Sequence, residues 1–345
     1  MKLNIDTSQN IIRLSENPAD NIYLWEGFGE YRLEYLNREA EERGSKGGNS
    51  AVFRLVSTED DEDVSVIKFL KYPLSPYNRR MNERFQREID ALTEARTHNS
   101  ENIIQIKHED TYKHKEGNNQ TKKYRFYIME KADDDLGAFI PNDENLLTIS
   151  QKMSLCKDII KGIIELHKIG IYHRDIKPDN IFLVSSGDQY VWKIGDLGLL
   201  AKRGEDFEFE KSKKIGPANW LSPEAMNKWL CEGTSRESFF DVKIDDLSDA
   251  YQLGAVIWFI FNHNAPIGQL YFNDFLHKDH RVFNATVGML QYAKNRRKPL
   301  GEYLQSFDQI EHEYLSMGVE SSIKKSQTLL WNIRNFGQRI FCQGA

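Results

Sequence analysis

Eight consecutive residues, His173-Arg174-Asp175-Ile176-Lys177-Pro178-Asp179-Asn180, gather four chemically unlike side chains in one short stretch. Asp175 can take a proton from a hydroxyl. Lys177, two residues on, can sit over a transferring phosphoryl group, and Asn180 offers an amide oxygen to a metal ion. Sixteen residues past Asn180 stands Asp196-Leu197-Gly198, an acidic residue on a turn, suited to hold Mg²⁺ against the phosphates of ATP. A lone His-Arg-Asp triplet arises easily by chance. The octet followed at this distance by the acidic triplet does not. The chemistry indicated is phosphoryl transfer, which draws on positioning and charge neutralisation.

Those residues need elements to hold them. Ala51-Val52-Phe53-Arg54-Leu55-Val56 and Val64-Ser65-Val66-Ile67-Lys68-Phe69-Leu70 read as two strands of a hairpin, with Glu59-Asp60-Asp61-Glu62-Asp63 at its solvated tip. Between Tyr77 and Arg96, Met81, Phe85, Ile89 and Leu92 recur at steps of 4, 4 and 3, the period of an amphipathic helix. Glu88 stands beside that stripe. Further strands are expected over residues 103–112 and 124–129, with a polar turn between them. Residues 1 to about 37 show no clear period. Thr148 or Ser150 can cap a helix whose Met153, Cys156, Ile159, Ile160, Ile163 and Ile164 share one face and which Gly170 stops. More helices are expected around 245–261 and through the last 60 residues.

The octet resembles the catalytic loop of protein kinases, and Asp196-Leu197-Gly198 resembles their metal-binding triplet with Leu in place of Phe. Val66-Ile67-Lys68 resembles their Val-Ala-Ile-Lys strand. The resemblance covers about residues 40–260. It implies an α+β, two-lobed protein kinase-like fold: a small antiparallel β-sheet lobe with one helix, then a larger, mainly helical lobe. The expected division is 1–37 as an N-terminal extension, 38–130 as the N-lobe, and 131–345 as hinge and C-lobe.

The resemblance also implies roles. Lys68, paired with Glu88, orients the α- and β-phosphates. Asp175 orients the acceptor hydroxyl and takes its proton late, Lys177 neutralises the γ-phosphate, and Asn180 and Asp196 hold the metal. His173 is expected to be a packed structural residue. Aligned on Val52, the family's three loop glycines fall at Ser45, Gly47 and Ser50, so only the middle one is retained. Gly44 and Gly48 lie close by and can help bring backbone N–H groups near phosphate. Met129-Glu130-Lys131-Ala132 resembles the hinge that bonds the adenine edge, with Met129 at the back of the pocket, Val52 and Val66 above the adenine and Phe182 beneath it. Plain core packing accounts for these apolar residues equally well.

From Gly198 to Leu221 the resemblance implies an activation segment. Gly216-Pro217-Ala218-Asn219-Trp220-Leu221-Ser222-Pro223-Glu224 resembles Gly-Thr-Pro-x-Tyr-x-Ala-Pro-Glu, with Pro217 replacing the threonine and Ser222 the alanine. Glu224 is expected to pair with Arg296 or Arg297, and Asp249 to cap the catalytic-loop backbone. Arg174 implies control by a phosphate on the segment. Ser212 is the one hydroxyl residue between Gly198 and Leu221. Permanent acids at Glu205, Asp206, Glu208 or Glu210 are the alternative partners.

Bulk properties agree. The chain has 345 residues, 40% hydrophobic and 28% charged, enough for two lobes with a soluble surface. A net charge of -6 argues against general nucleic-acid binding. Three scattered cysteines, Cys156, Cys231 and Cys342, form no disulfide framework. Residues 1–6 are too polar for a secretory leader, and the apolar run Gly254–Phe261 falls far short of a span. A cytoplasmic location is expected.

The function expected is ATP- and Mg²⁺-dependent transfer of the γ-phosphate to Ser/Thr hydroxyls of protein substrates, with ATP and protein as partners and neither nucleic acid nor membrane among them. The lysine two residues after the catalytic Asp is, in the family, typical of Ser/Thr enzymes. The main alternative is a pseudokinase scaffold that binds nucleotide without efficient transfer. A small-molecule kinase of related fold is a second, disfavoured by Lys177 and by Pro223-Glu224. The sequence sets neither the substrate protein nor the oligomeric state.

Overall fold

The computed structural model describes residues 1–37, 48–116, 120–142, 147–186, 189–204, 216 and 219–316. Gly44, Ser45, Gly47, Pro217 and the Ser212 segment with its flanking acids lie outside the described residues. The fold is α+β and two-lobed, with one compact unit formed by Met1–Thr97 and Ile104–Lys131 and another by His98–Ile103 with Ala132 onward.

In the first unit, β3 (Ile22–Trp25), β4 (Gly29–Tyr35), β5 (Ser50–Ser57), β6 (Val64–Leu70), β7 (Ile106–Lys115) and β8 (Thr121–Glu130) form one antiparallel sheet in the order β3-β4-β5-β6-β8-β7. Strand β7 lies three residues later than the 103–112 expected from the hydrophobic pattern, and β8 begins three residues before and ends one residue after the expected 124–129. Helix α1 (Arg79–Thr97) turns Phe85, Glu88, Ile89 and Leu92 inward. Its Phe85 ring lies 5.4 Å from that of Tyr127, so α1 packs on the Tyr127 face of the sheet.

The opposite face carries Phe53, Ile67, Phe69, Phe126 and Ile128, joined in one cluster by Leu3, Ile12 and Leu14. Those three come from a ribbon of β1 (Leu3–Asp6) and β2 (Ile11–Leu14). A two-stranded ribbon alone is marginal in water. Burying each Leu or Ile contributes roughly 1.5–3 kcal/mol, enough to hold this one on the sheet. Residues 1–37 thus form four strands, two of them continuing the main sheet.

In the second unit, α3 (Ile149–Lys168) follows β9 (Asp134–Asp135) and α2 (Leu136–Asn142). Thr148 is its cap: the hydroxyl accepts from Gln151 N–H, and the Gln151 side chain accepts from Thr148 N–H. Gly170, at φ +75°, ends the turn beyond it. A side chain at Gly162 would meet the Asn102 carbonyl oxygen at 2.6 Å and Ile194 at 2.8 Å, so α3 can lie this close to them only with glycine there.

Strands β11 (Ile181–Ser186) and β12 (Gln189–Ile194) form a hairpin that β9 extends, while β10 (Ile171–Tyr172) pairs with β13 (Ala201–Lys202). Then come α4 (Pro223–Cys231), α5 (Asp246–Asn262), α6 (His280–Met289) and α7 (Leu300–Ser316). Helix α5 contains Gly254–Phe261 and is buried on all sides, starting at a capping box of Asp245 and Ser248. No described helix is long and apolar enough to cross a membrane.

Candidate active site

In the first unit, strand register decides which side chains meet. Val52 faces Lys68, Lys68 faces Tyr127, and Val66 faces Met129 across the ladders. Cross-strand partners share a face, and so do residues two apart on one strand. Val52, Val66, Lys68, Tyr127 and Met129 therefore line one face, the face against α1. Lys68 Nζ lies 2.8 Å from Glu88 Oε1, with both residues buried. The Tyr127 hydroxyl donates to the same oxygen at 3.0 Å, and the ammonium sits 5.7 Å from the Tyr127 ring centre. Tyr127 joins this candidate pair without a signal in the sequence, because an aromatic on a strand reads as core.

Gly48 takes φ +57° with open space where a side chain would be, a conformation that glycine adopts without strain. The Glu130 carboxylate accepts the Gln105 N–H at 2.7 Å, and the Glu130 N–H donates to the Gln105 carbonyl at 2.9 Å. Glu130 thereby ties β8 to the chain entering β7.

In the second unit the loop of residues 173–180 is held by α5. Asp249 is fully buried and accepts the N–H groups of His173 and Arg174 at 2.8 and 2.9 Å. Its third partner is the His167 ring at 2.9 Å. Burial works against this carboxylate, but the His167 ring and the Arg174 N–H outweigh it and keep its pKa below the ordinary value. Gln252, one turn on, accepts from Ile176 N–H at 3.3 Å and donates to the Arg174 carbonyl at 3.2 Å. Arg174 sits at φ +66°, a conformation costing a non-glycine residue about 1 kcal/mol or more. Its guanidinium donates to the carbonyls of Leu199 and Leu200 at 2.7 and 3.1 Å, which helps keep it there. His173 is buried, its Nδ1 accepting from Asp175 N–H and its Nε2 donating to the Gly195 carbonyl.

Two side chains converge on Asp175. Asn180 Nδ2 donates to Asp175 Oδ2 at 2.9 Å and to the Asp175 carbonyl at 2.8 Å, and Lys177 Nζ lies 3.3 Å from Asp175 Oδ2. With its nitrogen committed to Asp175, Asn180 has its amide oxygen to offer to a cation. The β11–β12 register pairs Ile181 with Ile194, and the Gly195 N–H donates to the Asn180 carbonyl at 3.0 Å. Asn180 and Asp196 thus flank the same end of one hairpin, which is what sixteen residues of separation amount to in space. Asp196 is exposed, just past the end of β12, at φ +53°. Among the described residues no three His, Cys, Asp or Glu side chains gather into a metal cage. Two hard oxygen donors, with phosphate and water oxygens to complete the shell, would suit Mg²⁺, which seldom occupies an all-protein cage.

Further along, Glu224 and Arg297 form a buried double contact at 2.9 and 3.0 Å, so Arg297, of the two arginines considered, is the partner. Ser222 is the N-cap of α4, its hydroxyl accepting from Ala225 N–H at 3.3 Å. Gly216 has φ +106°, and a side chain there would meet the Arg174 carbonyl oxygen at 2.9 Å. Phe182, half-buried, faces Lys193 and Asp135 in the small sheet, and Ala132 opens the unit.

Residues 40–313 match the family model described as Protein kinase domain. The chain is similar to the mouse dual specificity protein kinase TTK, 24% identical over 222 residues, 64% of this chain and 23% of the relative. It is also similar to the eukaryotic translation initiation factor 2-alpha kinase 1 of Plasmodium falciparum, 32% identical over 44% of this chain and 9% of that protein. A probable serine/threonine-protein kinase of Dictyostelium discoideum, fhkA, is 28% identical over 64% of this chain and 37% of the relative. The chain therefore spans well under half the length of these relatives.

Proposed function

Because this chain belongs to the protein kinase domain family, we propose that it transfers the γ-phosphate of ATP to serine and threonine hydroxyls of protein substrates, with Asp175 as the proton acceptor. The convergence of Lys177 and Asn180 on the buried Asp175 carboxylate carries this reading. The substrate hydroxyl oxygen attacks the γ-phosphorus as the bond to the β,γ-bridging oxygen breaks and ADP leaves, and Asp175 accepts the hydroxyl proton late in the step. Lys177 neutralises charge on the moving phosphoryl group. Lys68, oriented by Glu88 and Tyr127, holds the α- and β-phosphates. Asn180 and Asp196 would bind Mg²⁺, which supplies charge neutralisation on the phosphate oxygens when present.

Lys177 supports serine and threonine as acceptors, as do the names of relatives such as fhkA. A scaffold without catalysis has no need of all of Lys68, Asp175, Asn180 and Asp196, and the chain carries each of them. Incubation with labelled ATP, Mg²⁺ and a generic protein substrate, followed by phosphoamino-acid analysis, tests the proposal. Phosphoserine and phosphothreonine are the expected products; chiefly phosphotyrosine would overturn the acceptor class, and no transfer would leave the scaffold reading in its place.

A further inference from the structure

The first unit contains a groove of about 910 Å³ between the β1–β2 ribbon and the far end of β7, and neither Lys68 nor Glu88 lines it. Ile5, Ile11 and Tyr112 are among its lining residues, and so are Arg13, Lys113 and Lys115. Those three basic side chains are exposed, and none forms an ion pair among the described residues. In a chain of net charge -6 this is a locally basic place. The one carboxylate lining it, that of Asp6, accepts from the Ser8 hydroxyl at 2.6 Å and from the Ser8 and Gln9 N–H groups, and the Arg13 charge acts on it more weakly than these hydrogen bonds.

Backbone geometry narrows the ligand. Among the described residues, strand β7 ends the sheet order and pairs only with β8, while β1 pairs only with β2. The N–H groups of the facing residues Leu3 and Leu14 go outward, to the hydroxyls of Tyr112 and Tyr35 at 3.0 and 3.1 Å. Leu3 and Leu14 are therefore a non-hydrogen-bonded pair. Antiparallel ladders alternate, so Ile5 and Ile12, two residues on, are another. The N–H and C=O of Ile5 then point outward on the β7 side, where they have no partner among the described residues. An unpaired strand edge of this kind accepts an added strand.

We propose that this groove binds an acidic segment of a partner protein in extended conformation, pairing with the Ile5 edge of β1 and setting its carboxylates against Arg13, Lys113 and Lys115. Charge complementarity selects an anionic partner, and the open backbone edge selects polypeptide over nucleic acid. The groove does not depend on the catalytic reading, and its occupancy is measured as binding.

The test uses the full chain and a ten-residue peptide alternating Glu with Thr, labelled through a linker and followed by fluorescence polarisation at low salt. The wild-type chain should bind this peptide, and at least tenfold more weakly once alternate backbone amides are N-methylated, a change that keeps every charge. The triple variant Arg13→Glu, Lys113→Glu, Lys115→Glu should also lose tenfold or more. The N-methylated probe needs no variant, so the proposal stays testable even if the triple variant misfolds. It is overturned by absence of binding, by indifference to N-methylation, or by tighter binding of a ten-nucleotide single-stranded DNA.

Discussion

Asp249 accepts the backbone N–H of His173 at 2.8 Å across 76 residues of sequence, so a helix far downstream holds the loop that carries Asp175. The same carboxylate takes the Arg174 N–H with its other oxygen. An amide in its place keeps one acceptor oxygen and turns an NH₂ toward an N–H donor. Asp249→Asn should therefore lower turnover on the order of 100-fold through misplacement of Asp175, with a smaller change in the KM for ATP. Steady-state kinetics on the folded variant measure this; an unchanged turnover would contradict the role given to Asp249.

Tyr127 gives its hydroxyl to the carboxylate that orients Lys68. Tyr127→Phe removes one hydrogen bond and leaves the ring. The expected loss is about 1 kcal/mol of stability, with a turnover loss of several-fold. Urea unfolding and initial rates on one preparation would show both, and identity with wild type in both would remove Tyr127 from the site.

The Glu224–Arg297 pair is buried on both sides, with side-chain exposures of 2% and 0%. Arg297→Met leaves a buried carboxylate without its cation and should cost about 3–5 kcal/mol. Adding Glu224→Gln removes the stranded charge and should restore part of that loss. Urea midpoints for the single and double variants decide it; a double variant weaker than the sum of both single losses would argue against a stranded charge.

Asp158 on α3 accepts the Trp192 N–H, and burial raises its pKa from 3.8 to about 6 against the opposing pull of that hydrogen bond. The folded chain holds this proton more tightly than the unfolded chain. Its contribution to stability is therefore fully present below about pH 4 and is lost as pH rises through about 6. At pH 7 the loss amounts to at most about 3 kcal/mol, given 1.36 kcal/mol per pH unit. Asp158→Asn should be stabilising relative to wild type at pH 7 and close to neutral at pH 4. A stability difference that does not change with pH would refute the assignment.

The catalytic octet, Lys68, the Thr148 cap and Asp249 were legible because each is a local pattern, or one anchored to a local pattern. The ribbon of residues 1–14 was not. Its strands are four residues long, too short to show a period, and they form because the sheet face beneath them is apolar. Arg297 could not be told from Arg296 for a similar reason. The two adjoin at the end of a short 3₁₀ turn (Lys294–Arg296) with no repeat to orient them, and only the carbonyls of Leu247, Gln291 and Tyr292 around the guanidinium select the second. Tyr127 escaped notice because its role depends on register against Lys68. Register is a property of paired strands and is absent from either strand alone.

The central claim is that Asp175 accepts the proton while other groups bind the nucleotide. Transfer of label from γ-³²P-ATP by Asp175→Asn and wild-type chains, beside Mg·ATP affinity for both, tests it most directly. Transfer should fall by about 10² to 10⁴-fold, the range for losing a general base, with the affinity within about threefold of wild type. Near-normal transfer by Asp175→Asn would contradict the mechanism.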